Sequence, residues 1–233
     1  MTPAKTQLIV ALDVDSAAKA LAHVDRLKDC VEWFKVGKQL FTLEGPAIVR
    51  ELKARGVKVF LDLKFHDIPN TVAEAVASSL AIGADMVNFH ASGGSEMVRT
   101  AVEKNRASRP DALLIGVTVL TSMDQKTLDE IGLPFTPEQA VLRFAAIAQK
   151  GGADGVVCSA WEIEPIKKTL GASFKVVVPG IRPGGSASDD QKRIMTPAQA
   201  AAAGADFIVV GRPILQAADP KAAALAVLAE IGR

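Results

Sequence analysis

Short runs of β-branched and aliphatic residues alternate along the chain with longer, alanine-rich segments whose apolar positions recur at helical spacing. The strand-like runs are Gln7–Asp13, Trp33–Gly37, Val57–Asp62, Asp85–His90, Ala112–Val119, Gly155–Ser159, Lys175–Pro179 and Phe207–Gly211. Between them, segments such as Ala73–Ile82 and Glu138–Gln149 carry the helical pattern. Strands that alternate with helices imply βαβ units and a parallel sheet.

An internal echo sharpens this. Gly83-Ala84-Asp85, Gly152-Ala153-Asp154 and Gly204-Ala205-Asp206 each close an alanine-rich helix and open an apolar run. Glycine past a helix end supplies the left-handed conformation that stops the helix. The aspartates stand 69 and 52 positions apart (85 to 154 to 206). If each interval holds two βα units, the unit is roughly 25–35 residues, the size of a βα repeat. Eight such units, with no linker or break in composition, predict an α/β fold, a closed (β/α)₈ TIM barrel, as a single catalytic domain over residues 1–233.

Composition excludes several classes. The 27 Lys and Arg nearly balance the 26 Asp and Glu, so no broad surface for nucleic acid or an anionic membrane is expected. Any anion site must be local. Two cysteines, Cys30 and Cys158, are too few for a disulfide framework and lack metal-site spacing; Cys158, inside an apolar run, reads as a small buried hydrophobe. No apolar stretch approaches the ~18 residues that span a bilayer. Met1–Leu12 carries one lysine and then a strand-like run without a cleavage site, which points to a reduced, cytoplasmic setting. Gly93-Gly94 is not part of any G-x-G-x-x-G pattern, so a dinucleotide fold is not indicated.

In a parallel barrel the chemistry sits at the carboxyl ends of the strands. Strand one places Asp13 on the face of Ile9 and Ala11, and strand two plants Lys35 among apolar neighbours. Strand three is the sharpest. In Phe60-Leu61-Asp62-Leu63-Lys64-Phe65-His66-Asp67, Asp62 and Lys64 are two apart and share a face, while Leu61, Leu63 and Phe65 take the other. One Asp–Lys couple alone could be a structural ion pair. Asp13, Lys35, Asp62, Lys64 and Asp67 together place charge at three neighbouring strand ends where packing calls for none. A lysine held among carboxylates is a candidate acid.

A second constellation follows strands seven and eight, in Val178–Gly185 and Val210–Pro213. These two loops form the usual phosphate site of the fold, with glycine opening the backbone and Arg182 and Arg212 able to add bidentate bonds. The alternative is a pair of glycine-rich turns with solvated arginines. His23, on the first helix, reads as a surface residue. His66 and His90 lack a matching carboxylate spacing and make a poor metal case; a core or hydrogen-bonding role suits them better. No metal ligand set stands out.

The run Asp62-Leu63-Lys64-Phe65-His66-Asp67-Ile68-Pro69-Asn70-Thr71 resembles the active-site signature of the orotidine 5′-phosphate decarboxylase family, in its bacterial form. Ala11–Asp13, Phe34–Gly37, Asn88–Ala91, Leu120–Ser122, Pro179–Pro183, Asp190-Gln191 and Val209–Arg212 resemble further family segments, in family order from about Leu8 to beyond Arg212.

The resemblance implies an enzyme, a carboxy-lyase that converts orotidine 5′-monophosphate to uridine 5′-monophosphate in pyrimidine biosynthesis. It implies a homodimer with shared sites and no cofactor. Lys64 matches the proton donor and Asp62 the carboxylate near the substrate's carboxyl group. Asp67, with Ile68 and Thr71, matches the residues supplied by the partner subunit. Asp13 and Lys35 match ribose contacts, with Lys35 also in the catalytic charge set. Thr121 and Ser122 align with the segment facing the pyrimidine, and Pro179 falls among the substrate contacts. Arg182, Gln191, Gly211 and Arg212 match the phosphate grip, and Gly184–Asp190 is the candidate lid. Two other readings stay open: a magnesium-using phosphosugar decarboxylase or aldolase of the same superfamily, which shares Asp-x-Lys-x-x-Asp, and a non-catalytic nucleotide-binding protein.

Overall fold

The structure is a computed structural model that describes residues 6–183 and 195–233. Its eight strands are β1 (Gln7–Ala11), β2 (Trp33–Gly37), β3 (Lys58–Phe65), β4 (Met86–His90), β5 (Leu113–Val117), β6 (Gly155–Val157), β7 (Lys175–Val178) and β8 (Phe207–Val210). Each pairs in parallel with the next, and β1 pairs with β8 to close the barrel. The expected runs are all strands, most of them one to three residues shorter. β2 matches its run in full, and β3 runs on through Phe65 rather than ending at Asp62. The helical segments also form, over Pro69–Ala81 and Pro137–Lys150.

Alternation along each strand builds two cores. Ile9, Ala11, Trp33, Phe60, Met86, Ile115, Val177, Phe207 and Val209 fill the barrel itself. Leu8, Val10, Phe34, Val36, Val59, Leu61, Val87 and their equivalents face outward under the helices. Trp33 closes the floor, edge-on to Phe207 at 5.4 Å, with its indole N–H donating to Gln7 Oε1 at 2.9 Å. Cys158 is fully buried in the outer core, as its apolar setting predicts.

The three Gly-Ala-Asp echoes form one device used three times. Gly83, Gly152 and Gly204 have φ of 108°, 85° and 97°, and the following alanines are buried. Each aspartate then accepts the first free amide of the preceding strand: Asp85 from Val59, Asp154 from Leu114 and Asp206 from Val176, all at 2.8 Å. A cation from the helix that precedes the first strand of each pair covers the same carboxylate: Lys53 before β3, Arg106 before β5 and Lys167 before β7. The staples therefore lock β3 to β4, β5 to β6 and β7 to β8 at the amino end of the barrel. That leaves the carboxyl end open for chemistry. A second echo lies in Thr136-Pro137-Glu138-Gln139 and Thr196-Pro197-Ala198-Gln199. Both are capping boxes in which threonine and glutamine satisfy each other's backbone amides.

Candidate active site

At the carboxyl ends of the strands lies a cavity of about 270 Å³. Its wall is apolar on one side, with Val117, Val119, Val157, Val177 and Val209. Lys35, Asp62 and Lys64 stand on the other, and Thr121, Ser122 and Pro179 lie at the rim. Six of the sequence-predicted site residues thus share one chamber.

The charges form a chain across β1, β2 and β3. Lys35 Nζ sits 3.0 Å from Asp13 Oδ1 and 3.4 Å from Asp62 Oδ2. Lys64 Nζ lies 2.5 Å from Asp62 Oδ1. Parallel register makes this possible, because Ala11 lies opposite Lys35 and Gly37 opposite Asp62. Gly37 leaves room for the pair: a Cβ there would fall 3.0 Å from Lys35 Nζ and 3.3 Å from Asp13 Oδ1. Asp13 remains largely exposed and is not among the residues that line the cavity.

Burial pushes the Asp62 carboxyl up, but Lys35, Lys64 and the hydrogen bonds from Lys64 and Asn88 outweigh it and hold it below the usual carboxylate range. Burial likewise lowers Lys35, and Asp62 and Asp13 together reverse the effect, leaving it raised. Both groups therefore stay charged although only 9% of each is exposed.

Simple pleating does not account for how Lys64 reaches Asp62. Lys64 has φ of 55°, the one left-handed residue other than glycine among the described residues. The β3–β4 register also breaks between Leu61 and Phe65. Leu61, Leu63 and Phe65 still pack under the helices as expected. Asn88 fills the break: its Oδ1 accepts the Lys64 backbone N–H at 2.8 Å and its Nδ2 donates to Asp62 Oδ1 at 2.7 Å. In the sequence Asn88 is marked by its polarity in an apolar strand and by its place in the family-like segment Asn88–Ala91, neither of which gives it a role.

Other predicted residues stand apart from this cluster. Asp67, Ile68 and Thr71 are exposed and none lines the cavity. Asp67 Oδ1 accepts the Ile68 amide at 2.6 Å and makes no ion pair with Lys64 of its own chain. Ile68, 67% exposed, presents bare apolar surface beside it. Arg182 is buried, so it is no solvated turn residue; its guanidinium donates to the Ile181 carbonyl at 3.2 Å. Arg212 opens the short helix Arg212–Leu215 directly after β8, and a Cβ on Gly211 would lie 3.6 Å from Asp13 Oδ2. Gln191 and the candidate lid at 184–190 lie outside the described residues.

The histidines differ from expectation. His66 lies just past the end of β3 and is exposed, and His90, the last residue of β4, is half-buried; their rings lie 5.4 Å apart. His23 is partly buried rather than a surface residue, with an Nδ1 that has no hydrogen-bond partner. Among the described residues no group of three or more His, Cys, Asp or Glu is arranged to hold a metal ion, and no helix is long and apolar enough to cross a membrane.

The sequence profile of the orotidine 5′-phosphate decarboxylase / HUMPS family matches residues 6–227. The chain is 55% identical over 217 residues to an orotidine 5′-phosphate decarboxylase of Vibrio campbellii, covering 92% of each chain. It is 55% identical over 228 residues to the Vibrio atlanticus protein of the same name, covering 97% of this chain and 96% of the relative. Its structure superposes on that of orotidine 5′-phosphate decarboxylase from Lactobacillus acidophilus with a TM-score of 0.88 and 37% identity, covering 98% of this chain and all of the other. The Pyrococcus horikoshii enzyme of that name gives 0.78 at 29% identity, covering 97% and 99%. With the matched region taking in every strand of the barrel and each charged group of the cavity, the chain belongs to the orotidine 5′-phosphate decarboxylase / HUMPS family.

Proposed function

We propose that this chain removes carbon dioxide from orotidine 5′-monophosphate to give uridine 5′-monophosphate, with Lys64 as the proton donor. The observation that carries the reading is the Lys64 ammonium fixed at 2.5 Å on a buried carboxylate inside a cavity with an apolar wall. Loss of carbon dioxide leaves an electron pair in the ring plane on carbon 6, where the π system cannot spread it. A preorganised ammonium aimed at that carbon stabilises the developing charge and then transfers its proton to it. The carbon–carboxyl bond breaks, the new carbon–hydrogen bond forms, and Lys64 regains its proton from solvent.

Asp62 holds the ammonium and stands beside the substrate's carboxylate, and the Asp13–Lys35 pair meets the ribose hydroxyls. Thr121 or Ser122 faces the pyrimidine from the rim. Phosphate binds between the loops after β7 and β8, at Arg182, Gly211, Arg212 and Gln191. Its binding energy, released far from carbon 6, serves to orient the ring and lower the barrier. Asp67, Ile68 and Thr71 serve the site of a second copy. An exposed aspartate beside an exposed isoleucine, neither reaching its own cavity, suits a homodimer with shared sites. The two thiols are free, which suits a reducing compartment such as the cytoplasm.

The test follows loss of orotidylate absorbance with the purified chain, before and after treatment with a chelator. Metal-independent turnover is the expected result. Absence of turnover overturns the assignment, and turnover only with added magnesium moves it to the phosphosugar enzymes of the superfamily. Mixing inactive Lys64→Ala and Asp67→Ala chains tests the shared site. Mixed dimers hold one intact site, so about a quarter of native activity should return; self-contained sites return none.

A further inference from the structure

We propose that Asn88 is a positioning residue for the reaction: its carboxamide sets the Lys64 backbone and the Asp62 carboxylate together, and so aims the ammonium. The inference rests on the decarboxylase reading and goes beyond the residues assigned in it.

Leu61 pairs with Val87 and the ladder resumes only at Phe65 with Phe89, so four steps along β3 face two along β4. Two residues too many must loop out of the ladder, and the strand turns through the left-handed φ of Lys64. That turn takes the Lys64 amide away from any β4 carbonyl. Asn88, wholly buried between the two paired positions, supplies the missing acceptor from its side chain.

The other end of the same amide reaches Asp62 Oδ1, the very oxygen that accepts from Lys64 Nζ. One planar group therefore ties the lysine's backbone to the atom that receives the lysine's tip. The orientation of the amide is fixed by its partners, since a backbone N–H only donates and an ionised carboxylate only accepts. The site needs one donor and one acceptor a carboxamide's width apart. Leucine has the shape without the bonds. Aspartate has the acceptor but sets a second negative charge against Asp62.

The experiment compares Asn88→Ala and Asn88→Asp with the native enzyme for orotidylate turnover across pH, uridylate affinity by calorimetry, and thermal melting. Asn88→Ala should lower kcat by ~10²-fold, the scale of a misplaced catalytic group, with uridylate affinity within about threefold. Asn88→Asp should recover as pH falls, because the protonated carboxyl donates to Asp62 while its other oxygen accepts from the Lys64 amide. The titrating neighbours Lys35, Asp62, Lys64, His66 and His90 are common to both proteins, so the ratio of the two profiles isolates the new carboxyl. A purely structural side chain would shift melting without bending that ratio.

An Asn88→Ala enzyme with native kcat overturns the proposal, as does a loss matched in uridylate affinity or an Asn88→Asp profile parallel to the native one. Should the alanine variant not fold, the aspartate variant decides; unfolding of both would make the role structural and end the proposal. A native chain without turnover removes the decarboxylase reading itself, a result distinct from native turnover with indifferent variants.

Discussion

Lys35 and Lys64 divide one carboxylate between them: Lys64 Nζ takes Asp62 Oδ1 at 2.5 Å and Lys35 Nζ approaches Oδ2 at 3.4 Å. A buried carboxylate with one cation would be left uncompensated if that cation were lost. With two, the loss of Lys64 still leaves Asp62 a cation, Lys35, which it shares with Asp13. The cluster therefore eases the cost to the fold of removing Lys64.

On the proposed role of Lys64 as proton donor, Lys64→Ala should give a folded protein in which orotidylate turnover drops by ~10³-fold or more. Uridylate binding, measured by calorimetry, should persist within about tenfold, because the proposed ribose and phosphate contacts lie elsewhere. Substantial residual turnover would remove Lys64 from its assigned role.

With Arg212 in its proposed phosphate role, Arg212→Ala removes a charged hydrogen bond worth ~1.5–3 kcal/mol, so kcat/KM for the nucleotide should fall roughly 10- to 100-fold or more. Orotidine without phosphate should lose little further. Equal losses for nucleotide and nucleoside would show that Arg212 does not meet the phosphate.

Asp154→Ala strips the Leu114 amide of its acceptor and the Arg106 guanidinium of a two-oxygen partner at 2.9 Å. Leu114 is buried, so water cannot replace the lost bond. A cost of about 2 kcal/mol is expected, or roughly 4–8 °C in Tm for a domain of this size. Turnover by the folded fraction should stay native, because the staple lies at the opposite end of the barrel from the cavity. A changed kcat at full folding would contradict that division.

His90 gives a pH dependence of defined sign. Burial, then the neighbouring His66, Lys38 and Lys64, pull its imidazole from 6.5 down to about 4. Between those values the unfolded chain takes up a proton that the fold refuses, so stability present above pH 6.5 drains away as pH falls toward 4. The ring is half open to solvent, which reduces the effect to about 1 kcal/mol. Urea unfolding at neutral and mildly acidic pH should show His90→Gln losing less than the native protein over the same interval. Parallel losses would mean that His90 titrates normally.

Much of this was written into short stretches of sequence. The eight apolar runs, the helices between them and the Gly-Ala-Asp punctuation are local patterns, set by side-chain alternation and by glycine's access to positive φ. The charged strand ends were also legible, because Asp13, Lys35, Asp62 and Lys64 interrupt apolar faces that packing alone would leave apolar. Less could be read where the signal is not local. Asn88 sits in a strand as one polar residue among apolar ones, and only its neighbour β3 gives it a task. The exposure of Asp67 and the burial of Arg182 depend equally on where β3 stops and on what covers the loop after β7.

The sequence by itself determined the strand–helix repeat, the inward and outward faces of each strand, and which residues would carry charge to the barrel's mouth. Tertiary structure decided the rest: closure of β1 on β8, with Thr6 Oγ1 donating to a carbonyl 199 residues away, the sharing of Asp62 by two lysines, and the left-handed turn at Lys64. The physical reason is one of range. Alternation and helix stops act within a few bonds of the backbone, whereas partnership between charges depends on the register of strands that meet only once the sheet has closed.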